Sequence, residues 1–582
     1  MSFIHHHKLK IILSLVLLFS LGLSLYSLAH VDPDVSSASF GAGGGGRPGG
    51  FSPGNRTVPG TPGAAGEEGA AGGSAAPGSD ASGAAPEAGS GTGGGEDAAQ
   101  GDAGRGTPGS GFTRPGGGGG FGFAVSGQYG TLLGWYAALF AGLFAAAFYC
   151  MRRGKLRLQE SRPGVILGLL LAAGLCLKIA AAPWIDGYVT DINFFKTWAT
   201  QAAESLGSFY LNSSSDYPPL YIYVLYLTGR IVELPLAAPY LLPLIKLPSI
   251  LADAATAYLL YTAARRYFTV ETGLLIAAFY MFNPAVLINS TFWGQVDSFF
   301  TLIVAAAIWL LVNRKFGWAT VLLTLSVLMK PQGMIYVPVL FFALLFTGSL
   351  KSWLRAAAGG ILTLLIVVLP FSSGQGPLWL YQLYTGTVNE YPYASVNAYN
   401  LFALIGANYT ESSSTLALFS YHTWGMIFIV LVTLYTGWMY LRSRDARFVI
   451  LGALMQIAGV FTFSSSIHER YLFPAAALSL LAYACWRDRR LLWLGFGFSA
   501  TVFLNTYAVY YGYLSRGSTY GFTMFTASLL NLAMCLLLGK LMWELSRRPQ
   551  AASTVAPPAA DDIMLPDSVP VSLTGQSPTL LQ

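Results

Sequence analysis

Some fourteen apolar stretches, most of them about as long as a bilayer is thick, run through this chain of 582 residues. A segment of about 20 apolar residues spans the hydrocarbon core. With no water there, the backbone must satisfy its hydrogen bonds within each segment, which makes every such stretch a helix. The stretches fall near 9–29, 130–151, 163–183, 243–264, 272–289, 297–312, 317–329, 333–348, 355–371, 416–440, 447–463, 471–486, 490–507 and 521–545. Charged residues make up 10% of the chain, against about 25% in soluble domains, so a soluble domain or a string of them is excluded. The fold class is an all-α polytopic membrane protein. The net charge of +6 does not point to nucleic acid, because the basic residues sit in short clusters between apolar stretches. Cys150, Cys176, Cys485 and Cys535 lie in or beside those stretches with neither metal-ligand nor disulfide spacing, and read as small core residues.

Four regions follow. Residues 1–30 are a signal peptide or a first span, with Lys8 and Lys10 leading an apolar run that ends in small residues. Residues 31–128 form a Gly/Ala/Pro-rich extracytoplasmic tether holding most of the low-complexity sequence, and nothing in it buries a core. Residues 129–548 are the multi-span domain, and 549–582 a Pro/Ala/Ser-rich cytoplasmic tail; both tether and tail are expected to be disordered. With the N-terminus inside and strict alternation, inner loops hold 21 of the 33 Lys and Arg, while the short outer loops hold only Lys196, Arg230, Lys330, Arg470 and Arg516. A crossing at 217–233 would invert every later loop, so that segment is expected to lie in the outer interface within a first large outer loop, 184–242.

That topology brings unusual polar residues to one membrane face. The first outer loop carries Asp186, Asp191 and Asp216; in GYVTDINFFKTWA, Thr190 or Asp191 would cap a helix, and capping also holds a carboxylate in place for use as a base. NSTFWGQVDS supplies Gln295 and Asp297, MKPQG supplies Lys330 and Gln332, and FSSSIHERYLFP supplies His468, Glu469 and Arg470. Each cluster alone reads as an interfacial anchor or a local salt bridge, but polar groups near lipid are expensive and are usually kept for function. Lys246 and Asp253, a little under two turns apart, read as a buried ion pair or an interhelical hydrogen bond. The Tyr/Asn-rich NEYPYASVNAYNLF suits sugar stacking or an aromatic belt.

In order, TDINFFKTWA, DYPPLYIY, FWGQVDSFF, KPQG and HERYLFP resemble the GT-C glycosyltransferases that use lipid-phosphate sugars, and are most similar to bacterial proteins related to GPI mannosyltransferases. The resemblance covers roughly 163–508. It implies a GT-C-like bundle of about fourteen transmembrane helices with an outer-face active site in the cell membrane. Asp191 would be the general base, with Asp186 as substitute. Arg470, His468 and Lys330 would stabilise the departing phosphate, while Glu469, Gln295, Asp297, Gln332 and Asp216 position sugar or phosphate. It implies a hexosyltransferase, mannose favoured, with a polyprenyl-phosphate sugar as donor and a glycan or protein as acceptor. Some relatives carry two adjacent acids where this chain has Asp191-Ile192, so a divalent metal stays an open expectation. A transporter or flippase for a lipid-linked sugar is the alternative. It would place charges near the midplane, with internal repeats and broken helices.

Overall fold

A computed structural model describes residues 2–31, 129–153, 162–347, 349–513 and 520–547; the tether and the tail lie outside the described residues. Helices α1 (Ser2–Ala29), α2 (Gly130–Arg152) and α3 (Pro163–Ala181) come first. Helices α4 (Val189–Glu204) and α5 (Pro219–Val232) follow, then α6 (Leu241–Arg265) and α7 (Val270–Met281). Next are α8 (Asp297–Val312), α9 (Phe316–Val327), α10 (Val337–Thr347), α11 (Leu350–Val368) and α12 (Trp379–Asn389). The chain continues with α13 (Tyr421–Ser443), α14 (Phe448–Phe463), α15 (Pro474–Trp486), α16 (Arg489–Tyr510) and α17 (Phe522–Ser546). Each expected apolar stretch meets a helix.

Among the described residues, eight helices are long and apolar enough to cross a membrane, or nine when α7 is joined across a 41° bend to Pro284–Trp293. This is an all-α, multi-pass membrane protein. The bend falls where α7 ends, with Phe282 at its C-cap, and Asn283 caps the next helix, its side chain accepting from Ala285 N, while Pro284 occupies the first turn, where its missing N–H costs nothing. The shorter apolar helices are instructive. At about 1.5 Å per residue, the 16 residues of α8 and of α14 fall short of an approximately 30 Å hydrocarbon core. They are short because polar sequence cuts them at one end: α8 opens on Asp297, α9 stops just before Lys330, and α14 and α15 flank His468–Arg470.

Burial follows position. Every residue of α14 from Phe448 to Thr462 is buried, as an all-round apolar helix in a core must be. Helices α2, α11 and α13 instead expose Trp135, Leu354, Ile366 and Leu434, the pattern of a lipid-facing side. The apolar run expected from 416 starts later. Thr415–Leu416 pair antiparallel with Phe419–Ser420, and Ser420 then caps α13 by accepting from Thr423 N. Helix α5 spans 14 residues and turns Tyr221, Ile222, Leu225 and Thr228 into the protein.

Of the two readings of Lys246 and Asp253, the interhelical hydrogen bond holds for Asp253, and an ion pair between the two does not form. Asp253 Oδ2 accepts from Lys178 Nζ on α3 at 2.6 Å, and Lys246 Nζ donates to the backbone carbonyls of Ala182 and Ile185. Seven residues along a helix place both side chains on one face but about 10 Å apart along the axis, so each meets a different neighbour rather than the other. Both members of the Lys178–Asp253 pair are buried, so removing one leaves an uncompensated charge in the core. Lys178→Met will destabilise the protein by about 3–5 kcal/mol, and adding Asp253→Leu will recover most of that loss. Thermal unfolding of the singles and the double in detergent checks it; equal midpoints for single and double would be the contrary result.

Candidate active site

The site gathers where the ends of α4, α8 and α9 meet the loop between α14 and α15. Asp191 lies in the first turn of α4, whose cap position is Tyr188 with no side-chain cap bond. Asp191 is therefore not the cap that its sequence suggested. It stands two residues inside, where the helix dipole favours a carboxylate. Its Oδ2 accepts from Trp293 Nε1 at 2.7 Å and from Gln295 Nε2 at 2.6 Å, while Arg470 Nη2 stands 3.7 Å away. Oδ1 takes no hydrogen bond among the described residues, and the side chain keeps 18% exposure.

Trp293 and Gln295 reach Asp191 because of an unusual turn. Residues Ile288–Trp293 form a π-helical turn, a form concentrated at functional sites, and Gly294 reverses the chain at φ +80°. A side chain at Gly294 would be strained at that φ, and its Cβ would lie 2.6 Å from Ile192 Cδ1. Gly187, at φ +87°, meets the same isoleucine from the other side. Tyr188 N donates to Trp293 O at 3.0 Å and the two rings stack at 4.4 Å, tying the turn to the start of α4.

Asp297 is fully engaged. It pairs with Lys330, accepts from Asn289 Nδ2 at 3.0 Å, and lies 3.7 Å from Arg470 Nε, with a side chain 5% exposed. It anchors the cluster and has no room to act as a base. Lys330 also reaches Gln295 Oε1 at 3.5 Å and covers the Tyr217 ring; burial lowers its pKa, and Asp297 works against that. Arg470 bonds Glu469 at 2.5 Å and lies over the Trp293 ring, 5.2 Å from its centre. Burial opposes its charge, but Glu469, Asp191 and Asp297 outweigh it, so Arg470 stays ionised with its pKa well above the usual value. Burial raises the pKa of Glu469.

His468, expected among the cations, is held neutral: burial, then Arg470 and Lys330, push its pKa down to about 3. Its ring meets the edge of Tyr391 at 4.4 Å, and Val396 N donates to Ile467 O at 3.0 Å, so the Tyr/Asn-rich segment closes over this loop. Asn397 and Asn400 of that segment serve the fold. Asn397 and Asn408 bond each other, Asn400 reaches Ser464 O, and Asn505 and Asn531 on α16 and α17 hold the backbone of Asn397 and Tyr399.

Asp216 stands at the rim, its carbonyl bonded by Thr387 Oγ1. Burial first, then Glu390, raise its pKa to about 7. Asp186 is exposed ahead of α4, and Gln332 is half-buried in the turn after Lys330; among the described residues neither joins the hydrogen bonds of the cluster. Trp293, Asn289 and Tyr217 do join it. All three stand inside motifs already singled out, but indole, amide and phenol carry no charge pattern to mark them. The residues do not fit a divalent ion as arranged: among the described residues no three His, Cys, Asp or Glu converge as ligands, because Arg470 and Lys330 separate the carboxylates.

The multi-pass helical bundle thus holds, at the ends of its helices, an ionic cluster assembled from four separated loops. Residues 216–373 match the family described as dolichyl-phosphate-mannose-protein mannosyltransferase, a family of the GT-C superfamily. No curated protein matches the chain. The matched stretch takes in DYPPL, WGQVD and KPQG, so the resemblance to GT-C enzymes holds over this central segment, and with it a membrane glycosyltransferase with a polyprenyl-phosphate sugar donor.

Proposed function

We propose that this protein transfers a hexose, mannose favoured, from a polyprenyl-phosphate sugar to an extracytoplasmic glycan or protein acceptor with inversion, at an active face outside the cell membrane. The observation that carries this reading is Asp191, held by two donors on Oδ2 with Oδ1 uncommitted and a guanidinium beside it. Oδ1 takes the proton of an acceptor hydroxyl as that oxygen attacks the anomeric carbon. The new C–O bond forms opposite the breaking bond to phosphate, and polyprenyl phosphate leaves with the electron pair. Its developing charge falls to Arg470 and Lys330, the two cations of the cluster.

The test uses protein in nanodiscs with short-chain polyprenyl-phosphate mannose or glucose and a cell-envelope extract as acceptor. Release of polyprenyl phosphate with an inverted product linkage is the expected result, faster with mannose. Donor carried across the bilayer without release would favour the flippase reading instead.

The rim predicts a pH dependence. Above about pH 7 Asp216 ionises beside Glu390 and Asp191, which adds negative charge where a phosphate must bind. The donor KM will rise with pH through about 7, and Asp216→Asn will flatten that rise. Stability moves in the same sense. The native state keeps a proton that the unfolded chain sheds near pH 4, so the unfolding midpoint falls as pH climbs from there to about 7, and falls less in Asp216→Asn. A parent KM indifferent to pH between 6 and 8 would count against it.

A further inference from the structure

Helix α6 carries a buried polar stripe that the reaction described above does not use. Lys246 and Ser249 are 0% and 1% exposed, and Asp253 continues the same face. The stripe meets both halves of the Asp191 site. Lys246 Nζ donates to Ala182 O and Ile185 O, on the segment that leads into α4 and Asp191. Ser249 Oγ donates to Gln295 O at 2.7 Å, in the turn that supplies both donors to Asp191. The stem of Lys246 also packs where Gly294 reverses the chain: a Cβ there would lie 3.4 Å from Lys246 Cε and Cγ. One helix thus holds the base and its two hydrogen-bond donors from beneath.

We propose that Lys246 and Ser249 are positioning residues that set the geometry between Asp191 and its partners Trp293 and Gln295; the proposal rests on the reading of Asp191 as the base. The placement gives the reason. Asp191 and its donors come from segments about a hundred residues apart, joined directly by the Tyr188 N–Trp293 O bond and the ring stack above it. A buried ammonium is costly to desolvate, and this one spends its protons on two carbonyls that an apolar residue would leave unpaired. Ser249 fixes the Gln295 backbone one turn further along. Release of either contact lets the two segments slide, and a shift of about 1 Å at a reacting group costs on the order of a hundredfold in rate.

The test reads kinetics and position separately. In Lys246→Met, kcat per folded molecule is expected to fall by roughly 10- to 100-fold with the donor KM little changed, and Ser249→Ala to show a smaller loss of the same kind. A role limited to holding the fold would lower yield and unfolding temperature while leaving kcat per folded molecule intact. The second arm needs no turnover. In a chain with Cys150, Cys176, Cys485 and Cys535 replaced, Asp191→Cys is treated with a water-soluble thiol reagent, and adding Lys246→Met is expected to change its reaction rate about fivefold or more. Unchanged kcat and unchanged thiol reactivity in folded Lys246→Met would overturn the proposal. A changed thiol rate in a protein that releases no polyprenyl phosphate would uphold the positioning and sink the glycosyltransferase reading. Should Lys246→Met not fold, Ser249→Ala, which removes a single hydroxyl, decides by the same two readouts.

Discussion

Asp191→Asn is expected to cut kcat by about a thousandfold, within the range of roughly 10²–10⁴ that a positioned acid–base group contributes, and to leave the donor KM within a few-fold. The substitution keeps the shape of the side chain. Its amide oxygen accepts from Trp293 Nε1 and Gln295 Nε2 as the carboxylate does, so the join between the first turn of α4 and the 293–295 turn persists. What disappears is the ability to take a proton at Oδ1. Release of polyprenyl phosphate by parent and variant in nanodiscs measures the loss, with an unchanged unfolding midpoint as the control. Turnover that survives would remove Asp191 from the base role. Asp216 would then come first, because its pKa of about 7 suits proton transfer at neutral pH, whereas Asp186 stands apart from the cluster.

Arg470→Gln is expected to lose about 10²–10³ in kcat and to raise the donor KM, because a cation aimed at developing phosphate charge does most of its work in the transition state. It will also destabilise the protein. Arg470 lies against Glu469, Asp191 and Asp297, and its removal leaves three neighbouring carboxylates short of a partner. The two effects separate in a double variant. Glu469→Gln with Arg470→Gln removes a charge of each sign, so stability will return in large part while turnover will not. Arg470→Lys restores the charge without the planar fork that spans several carboxylates, and is expected to recover only part of the rate. Full activity in Arg470→Gln would leave the developing phosphate charge to Lys330 alone, beside its partner Asp297.

Much of the architecture was legible without coordinates. Apolar stretches became helices, and the stretches cut short by polar sequence became the short helices whose ends carry Asp297, Lys330 and His468–Arg470. Most of the candidate site could be read too, since charges at the ends of apolar runs are conspicuous. The errors share one cause. Thr190 and Asp191 read as caps because capping is a local pattern, yet the helix begins at Val189 and the carboxylate reaches across to Trp293 and Gln295, about a hundred residues away. His468 read as a cation from its neighbours in sequence, but burial and two facing cations make it neutral.

The sequence by itself determined that this chain crosses a membrane as a helical bundle and which polar residues stand at the ends of its helices, because hydropathy and charge are properties of each residue and act before any long-range contact forms. Tertiary structure alone decided the partners: Lys178 rather than Lys246 for Asp253, backbone carbonyls for Lys246, and the three acids that share Arg470. In a low-dielectric interior a charge takes whichever complement the packing brings within a few ångströms, and that distance is set by how the helices cross.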